Sequence, residues 1–242
     1  PTDGYILANL GVGAGSEYVA IYHTQDGGAN WEQKFTHTPG GAEQSLPGGG
    51  IKGGFAFTNS GTGWISGSEP ISDFLYLFTS TDQGTTWVET TCSGIPTDSG
   101  QDMWDAGAFQ VISPSEIVLP IHAFILSDTQ KTYFCSTSDA GETWNYLSEL
   151  PPMTGFSFAP DGSGLAFSPT SLFVSTDAAK TWKDLSANLP QQVAVIAASV
   201  VDAKLIYIVT SNPSLEHEDQ NTIYLSRDGG QSWALVPAVL QP

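Results

Sequence analysis

Carboxylates are the reactive groups this sequence supplies in quantity: 25 Asp and Glu against 7 Lys and Arg, a formal net charge of −18 over 242 residues. Two acids facing each other across a cleft suffice for glycoside hydrolysis, about 5 Å apart in a retaining enzyme and farther in an inverting one. Glu43, Glu69, Asp102, Asp105, Asp128, Glu218 and Asp219 stand in polar stretches where such a pair could form. With so many acids, a solvated acidic surface is the competing account. Trp104, in Gln101-Asp-Met-Trp-Asp105, is an indole flanked by carboxylates, the composition of a platform for a sugar ring or a peptide. The other reading is that it folds inward as filler. Leu215-Glu-His-Glu-Asp219 sets His217 among three acids, but contiguous loop residues seldom converge on a cation, so neither a metal site nor a cofactor is expected. His23 reads as a strand residue, His122 as a satisfied histidine in the apolar run 117–125, and His37 as uninformative in a Gly- and Pro-rich loop. Gly48-Gly-Gly50 reads as a flexible stretch.

The charge balance excludes whole classes of partner. Nucleic-acid binding needs clustered Lys and Arg to displace the counterions on phosphates, and an anionic membrane surface makes the same demand. Here Arg227 is the only arginine, accompanied by six lysines. The longest apolar run, 193–201, is far short of the ~18 residues that span a bilayer, so no membrane insertion is expected. Hydrophobic content of 40% is ample for a core. The length allows one large all-β domain. Cys92 and Cys135 have no metal-ligand spacing and are either buried thiols or one disulfide. Pro1 is no natural initiator, so a trimmed or processed chain is expected; abundant Ser, Thr, Gly and Trp suit an extracellular or periplasmic protein.

The elements that position these groups are announced by a repeat. Five octets align without gaps: Thr24-Gln-Asp-Gly-Gly-Ala-Asn-Trp31, Ser80-Thr-Asp-Gln-Gly-Thr-Thr-Trp87, Thr137-Ser-Asp-Ala-Gly-Glu-Thr-Trp144, Ser175-Thr-Asp-Ala-Ala-Lys-Thr-Trp182 and Ser226-Arg-Asp-Gly-Gly-Gln-Ser-Trp233. Their aspartates, Asp26, Asp82, Asp139, Asp177 and Asp228, lie 56, 57, 38 and 51 residues apart. The pattern is that of a tight hairpin turn. Its Asp and Ser/Thr accept turn amides, its Gly supplies a positive φ, and its Trp opens the next strand facing inward. Ala179 replaces the Gly in the fourth copy and predicts a slightly strained turn. Around each octet the sequence reads as four strands, clearest in Phe55-Ala-Phe-Thr58, Gly63-Trp-Ile-Ser-Gly67, Phe74-Leu-Tyr-Leu-Phe78 and Thr86-Trp-Val-Glu-Thr90. The turns between first and second strands are Asn59-Ser-Gly-Thr62, Ser113-Pro-Ser-Glu116, Pro160-Asp-Gly-Ser-Gly164 and Val201-Asp-Ala-Lys204, and Pro1-Thr-Asp-Gly4 matches them.

This octet resembles the Asp-box (BNR) repeat of sialidase-like β-propellers, and Gly-Trp-Ile-Ser-Gly ahead of Thr-Ser-Thr-Asp-Gln-Gly-Thr-Thr-Trp is similar to propellers of the photosystem II assembly-factor type. The resemblance implies an all-β propeller of five four-stranded blades, with the box between strands three and four. One domain over 1–242 is expected, with blades near 1–36, 51–92, 106–148, 154–186 and 192–236. The first blade lacks its first strand. Residues 237–242 either close the ring or the chain is part of a longer propeller. In such families the box is a structural turn, and sites lie on the other side of the ring, where the long loops 36–50, 68–73, 91–107, 125–131 and 212–221 fall here. Sialidase chemistry, which that family performs with three arginines, is excluded by the single Arg227.

These readings lead to a non-enzymatic, extracytoplasmic propeller that binds a neutral or basic protein or glycan through its acidic loop face. The alternative is a glycoside hydrolase other than a sialidase on that same face. An assembly factor for a membrane protein complex is the third reading.

Overall fold

A computed structural model describes residues 2–38, 40, 44–69, 75–96, 102–125, 130–191, 193–212, 214 and 221–237. They form two compact units, Pro1–Phe109 with Pro114–Tyr146, and Gln110–Ser113 with Leu147–Pro242. Both are built of antiparallel sheet, except that Cys92–Ser93 pairs in parallel with Trp144–Asn145 in the first.

In the first unit, β1 (Gly4–Gly13), β2 (Ser16–Thr24) and β3 (Glu32–Thr36) make a three-stranded sheet in chain order. Next come β4 (Ile51–Phe57), β5 (Gly63–Ser68), β6 (Tyr76–Ser80), β7 (Val88–Glu89), β8 (Cys92–Ser93) and β9 (Asp102–Ala106). After β10 (Gln110–Val111), which belongs to the second unit, follow β11 (Ile117–Ile125), β12 (Lys131–Thr137) and β13 (Trp144–Leu150), the last assigned to the first unit only as far as Tyr146. These run as one continuous sheet in the order β7-β6-β5-β9-β11-β12-β13-β8, with β4 paired to β5. The stretch 91–107, expected as a loop, therefore contains two strands. The reason is a period of two that its polarity hides: Trp104 and Ala106 face the core, while Met103 is exposed between neighbours. β9 pairs with β11 through Trp104 opposite Ala123 and touches β5 through Asp105 opposite Ser68, so it joins two groups of strands that the repeat pattern keeps apart.

The second unit holds two four-stranded sheets. One is β14 (Gly155–Phe158), β15 (Gly164–Ser168), β16 (Ser171–Ser175) and β17 (Lys183–Asp184); the other is β18 (Ala194–Val200), β19 (Ile206–Ser211), β20 (Asn221–Ser226) and β21 (Ala234–Leu235). A single 3-10 turn, Ser186–Asn188, follows β17. Leu165, Leu172, Leu185, Val195, Ile206 and Ile208 form its core.

All five octets close the same turn. The hydroxyl of the first residue donates to the Asp Oδ1 at 2.7–2.9 Å and accepts the amide of the fifth residue at 2.7–3.0 Å. The Asp Oδ1 also accepts the seventh amide at 2.8–2.9 Å, and Oδ2 accepts the seventh side chain at 2.6–2.7 Å. The fourth residue's amide, from Gly27, Gln83, Ala140, Ala178 or Gly229, donates to a carbonyl of the turn between the two preceding strands: Thr2, Gly61, Ser115, Gly162 or Lys204. Thr2 fills that role in the first sheet, as the match of Pro1-Thr-Asp-Gly4 to this turn implies. Positions four and five are left-handed in every copy, including Ala178 and Ala179 at φ of 57° and 68°. In the fourth copy Ser148 is interposed, donating to the Ala179 carbonyl at 2.5 Å and accepting the Trp182 indole N–H, whereas Trp31 and Trp87 donate directly to Gly28 and Gly84. The octet tryptophans are not equally inward: Trp144 and Trp87 are buried, and Trp31 is 40% exposed.

Cys92 and Cys135, open between two states in the sequence, form a disulfide with Cα atoms 6.2 Å apart, inside the core made by Trp64, Leu119, Ile121 and Trp144.

Replacing both cysteines by serine is expected to cost about 4 kcal/mol from the 43-residue span released, read by urea unfolding. Gly141 packs so tightly that an added Cβ would lie 1.9 Å from Trp64 Nε1, so Gly141→Ala should lose ~3 kcal/mol or more. Ala179→Gly should instead gain up to about 1 kcal/mol by removing left-handed strain. Equal effects from the two substitutions would contradict this account of the turn. The octet carboxyls also set a pH window. Asp26, Asp139 and Asp228 are held down to about 2 from 3.8, Asp26 first by the Asn30 amide, the others first by the hydroxyls of Thr143 and Ser232. For Asp82 and Asp177 burial pulls upward, and hydrogen bonds led by Thr86 and Thr181 outweigh it. Because the folded values lie below the unfolded ones, this stabilisation is complete above pH ~4 and lost as pH falls from ~4 to ~2. The melting temperature should hold between pH 7 and 4 and then drop; a steep fall already between pH 7 and 5 would count against it.

Candidate functional site

The first three octets occupy one end of the strands of the first unit, and the β1–β2 hairpin, the start of β4 and the end of β5 mark the other. At that end the chain enters β4 through Pro47-Gly-Gly-Gly50, anchored by the fully buried Leu46. Glu17 donates its amide to the carbonyls of Gly48 and Gly50, and Gly50 donates to Gly15. Lys52 turns back under this strap, its Nζ donating to the carbonyls of Pro47, Gly48, Gly49 and Gly50 at 3.0, 3.3, 2.8 and 3.2 Å. The ammonium lies 4.8 Å from the centre of the Tyr76 ring, and the Tyr76 hydroxyl donates to Pro47 O at 2.9 Å.

The glycine triplet is a packed turn rather than the flexible stretch expected from sequence. A Cβ on Gly48 would meet the His37 ring at 2.5 Å, one on Gly49 would lie 3.1 Å from Glu69 Oε1, and Gly50, at φ +73°, would meet Ser68 O at 2.7 Å. His37 also meets Tyr18 edge-on, and its Nδ1 is buried with no hydrogen-bond partner among the described residues. Glu17 accepts the Lys52 amide at 2.6 Å and the Asn9 side chain.

Burial pushes the Lys52 ammonium down to about 8, against the opposing pull of Glu17 and Glu69. Burial likewise lifts the Tyr76 phenol far above its ordinary range, with Glu69 and Glu17 adding to it.

Next to this strap, register places Asp105 opposite both Ser68 and His122. His122 is held below its ordinary value by burial, with Asp105 pulling the other way, and its Nδ1 lies 3.4 Å from Thr132 Oγ1. Among the sequence-selected residues, Glu69 and Asp105 thus come to the same end of one sheet. Trp104 does not join them: it is 4% exposed, packed 5.8 Å from the Tyr133 ring, and so serves as filler rather than as a ligand platform. Asp102 opens β9, and its side chain lies outside the described residues, as do Glu43, Asp128, His217, Glu218 and Asp219. Sequence reading missed Lys52, Glu17 and Tyr76. The available signal was a glycine triplet beside Lys52, the only basic residue between Lys34 and Lys131. Among the described residues there is no group of three or more His, Cys, Asp or Glu able to hold a metal ion.

The chain is a β-propeller, and among the described residues its regular elements are all strands apart from the short 3-10 turn. Several solved structures are similar to it in fold. YCF48 bound to a D1 peptide matches with a TM-score of 0.52 and 14% identity over 96% of this chain and 85% of that one. A polysaccharide lyase of the PL25 ulvan lyase family matches with a TM-score of 0.58 and 12% identity, over 93% and 62%. The Hadza microbial sialidase Hz136 matches at 0.53 and 17%, over 92% and 52%, so this chain spans about half to two thirds of the length of these last two. No protein-family model matches the sequence. No curated protein matches it either.

Lys52→Met should lower stability by ~2 kcal/mol by leaving the strap carbonyls without their ammonium, measured by urea unfolding, with Lys52→Arg recovering only part. An unchanged midpoint would mean that the strap is held without Lys52.

Proposed function

We propose that this protein is a non-enzymatic, extracytoplasmic propeller that binds a neutral or basic protein or glycan through the acidic loop end of its first unit. One observation carries the reading. Lys52 and Tyr76, two groups there suited to proton transfer, are consumed by structure, since both donate to the strap carbonyls, which leaves the half-buried carboxylates of Glu69, beside Gly49, and Asp105, opposite Ser68, for a ligand. The octet aspartates are equally committed to their turns and are held below the range a general acid needs. Two neighbours in fold carry a peptide or a glycan, a D1 peptide on YCF48 and a glucuronic acid–rhamnose unit on the lyase, and of these the second is anionic, unlike the ligand proposed here. The disulfide supports an oxidising compartment.

A second reading, a carbohydrate-active enzyme on this end, is favoured by the His122–Asp105 pair, in which burial keeps the imidazole neutral and able to accept a proton. One experiment separates the two. The protein is assayed on a panel of neutral and acidic polysaccharides for released reducing or unsaturated ends, and in parallel for binding to those glycans and to neutral and basic peptides. The binding reading expects no turnover, and retention that Glu69→Gln and Asp105→Asn each weaken by about fivefold or more. Turnover at enzyme-like rates that His122→Ala or Asp105→Asn abolishes would overturn it.

A further inference from the structure

The octet end of the second unit carries a cavity of about 190 Å³ between its two sheets. Its apolar side is Val174 of β16, Val200 of β18 and Ile206 of β19. Its rim is polar: Lys183 from β17, Asp202 from the turn after β18, and Gln231 from the variable sixth position of the last octet. Asp228 and Gly229 also line it, but Asp228 has both carboxylate oxygens engaged in its own turn.

The rim side chains are not engaged in that way. Among the described residues, the Lys183 ammonium and the Gln231 carboxamide make no hydrogen bond. Asp202 uses Oδ1 for the amides of Lys204 and Leu205 at 2.8 Å, and its Oδ2 has no partner among the described residues. The mouth is fixed nonetheless, because Asp161 Oδ2 accepts the Ala203 amide at 3.3 Å and ties the turn of one sheet to that of the other. A concave site with an aliphatic floor and a few convergent uncommitted donors and acceptors is the composition of a small-ligand pocket.

From this geometry we infer that the cavity is a binding site for one neutral sugar residue, a pyranose with an aliphatic face, independent of the loop-end reading above. The chemistry selects the class. Two carboxylates against one ammonium disfavour an anionic ligand, and no aromatic surface is present to stack a nucleobase. A metal ion lacks a ligand set here. A pyranose offers a C–H face for Val174, Val200 and Ile206, a hydroxyl oxygen for Lys183, a hydroxyl proton for Asp202 Oδ2, and either for the Gln231 amide.

The test uses the whole chain, 15N-labelled, titrated with the methyl glycosides of glucose, galactose and mannose, with glycerol as the control polyol and methyl glucuronide as the anionic one. The expected result is saturable amide shifts at Lys183, Asp202 and Gln231 for at least one neutral glycoside, and a weaker response to the glucuronide. Asp202→Asn and Lys183→Met should each weaken that binding about fivefold or more without moving the melting temperature, since both side chains are exposed. Shifts absent for all three glycosides, matched by glycerol, centred elsewhere, or unaltered in both variants would overturn the proposal. These outcomes are independent of peptide or polysaccharide capture by the loop end.

Discussion

The structure depends on one small electrostatic device, a carboxylate that takes up the donors of its own turn. A hairpin turn leaves amides pointing inward with no strand to pair with, and an unsatisfied amide costs more than a hydrogen bond returns. In each octet the aspartate accepts the seventh residue's amide and side chain, while the first residue's hydroxyl takes the fifth amide. The fourth amide is then free to reach the neighbouring turn of the same sheet. Strands two and three are thereby clamped to strand one's turn at that end, without any long side chain being ordered.

The clamp has a consequence for the distribution of chemistry. Five aspartates that would otherwise contribute reactive or binding carboxylates are withdrawn into turns, and their pKa values move away from catalysis. What the clamp does not use are the loop-end acids Glu69 and Asp105 and the variable octet positions such as Gln231, the groups on which the two proposals rest. At the loop end a second device of opposite sign recurs, with the Lys52 ammonium within hydrogen-bond distance of four carbonyls of the Pro47–Gly50 strap, three of which also accept the Glu17 amide or the Tyr76 hydroxyl. The anion gathers backbone donors in one kind of turn, and the cation gathers backbone acceptors in the other.

Much of the fold was legible because the octet repeats side-chain chemistry at fixed spacing, and that chemistry is local. The turn, its glycine requirement and the strain at Ala179 follow from eight residues each. Trp104 and β9 were not legible, because whether Asp102-Met-Trp-Asp-Ala106 is loop or strand is decided by the partner it meets, β11, fifteen residues on and more. Burial of the indole then follows from register, not from the flanking acids. The Lys52 strap was hidden for a similar reason: three glycines in sequence signal freedom, and only the contacts with His37, Glu69, Ser68 and Tyr76 turn that freedom into a requirement for no side chain at all. The cysteine pairing needed the distance between β8 and β12, which spacing along the chain does not contain.

Native-state hydrogen exchange, followed amide by amide, addresses the clamp directly. The fifth-position amides of Gly28, Gly84, Gly141, Ala179 and Gly230 and the seventh-position amides of Asn30, Thr86, Thr143, Thr181 and Ser232 lie in turns, where exchange is ordinarily fast. If the carboxylate clamp organises each sheet, all ten exchange slowly, on the scale of the strand amides beside them. Exchange of these amides at the rate of open loop positions, with the strands still protected, would contradict the account.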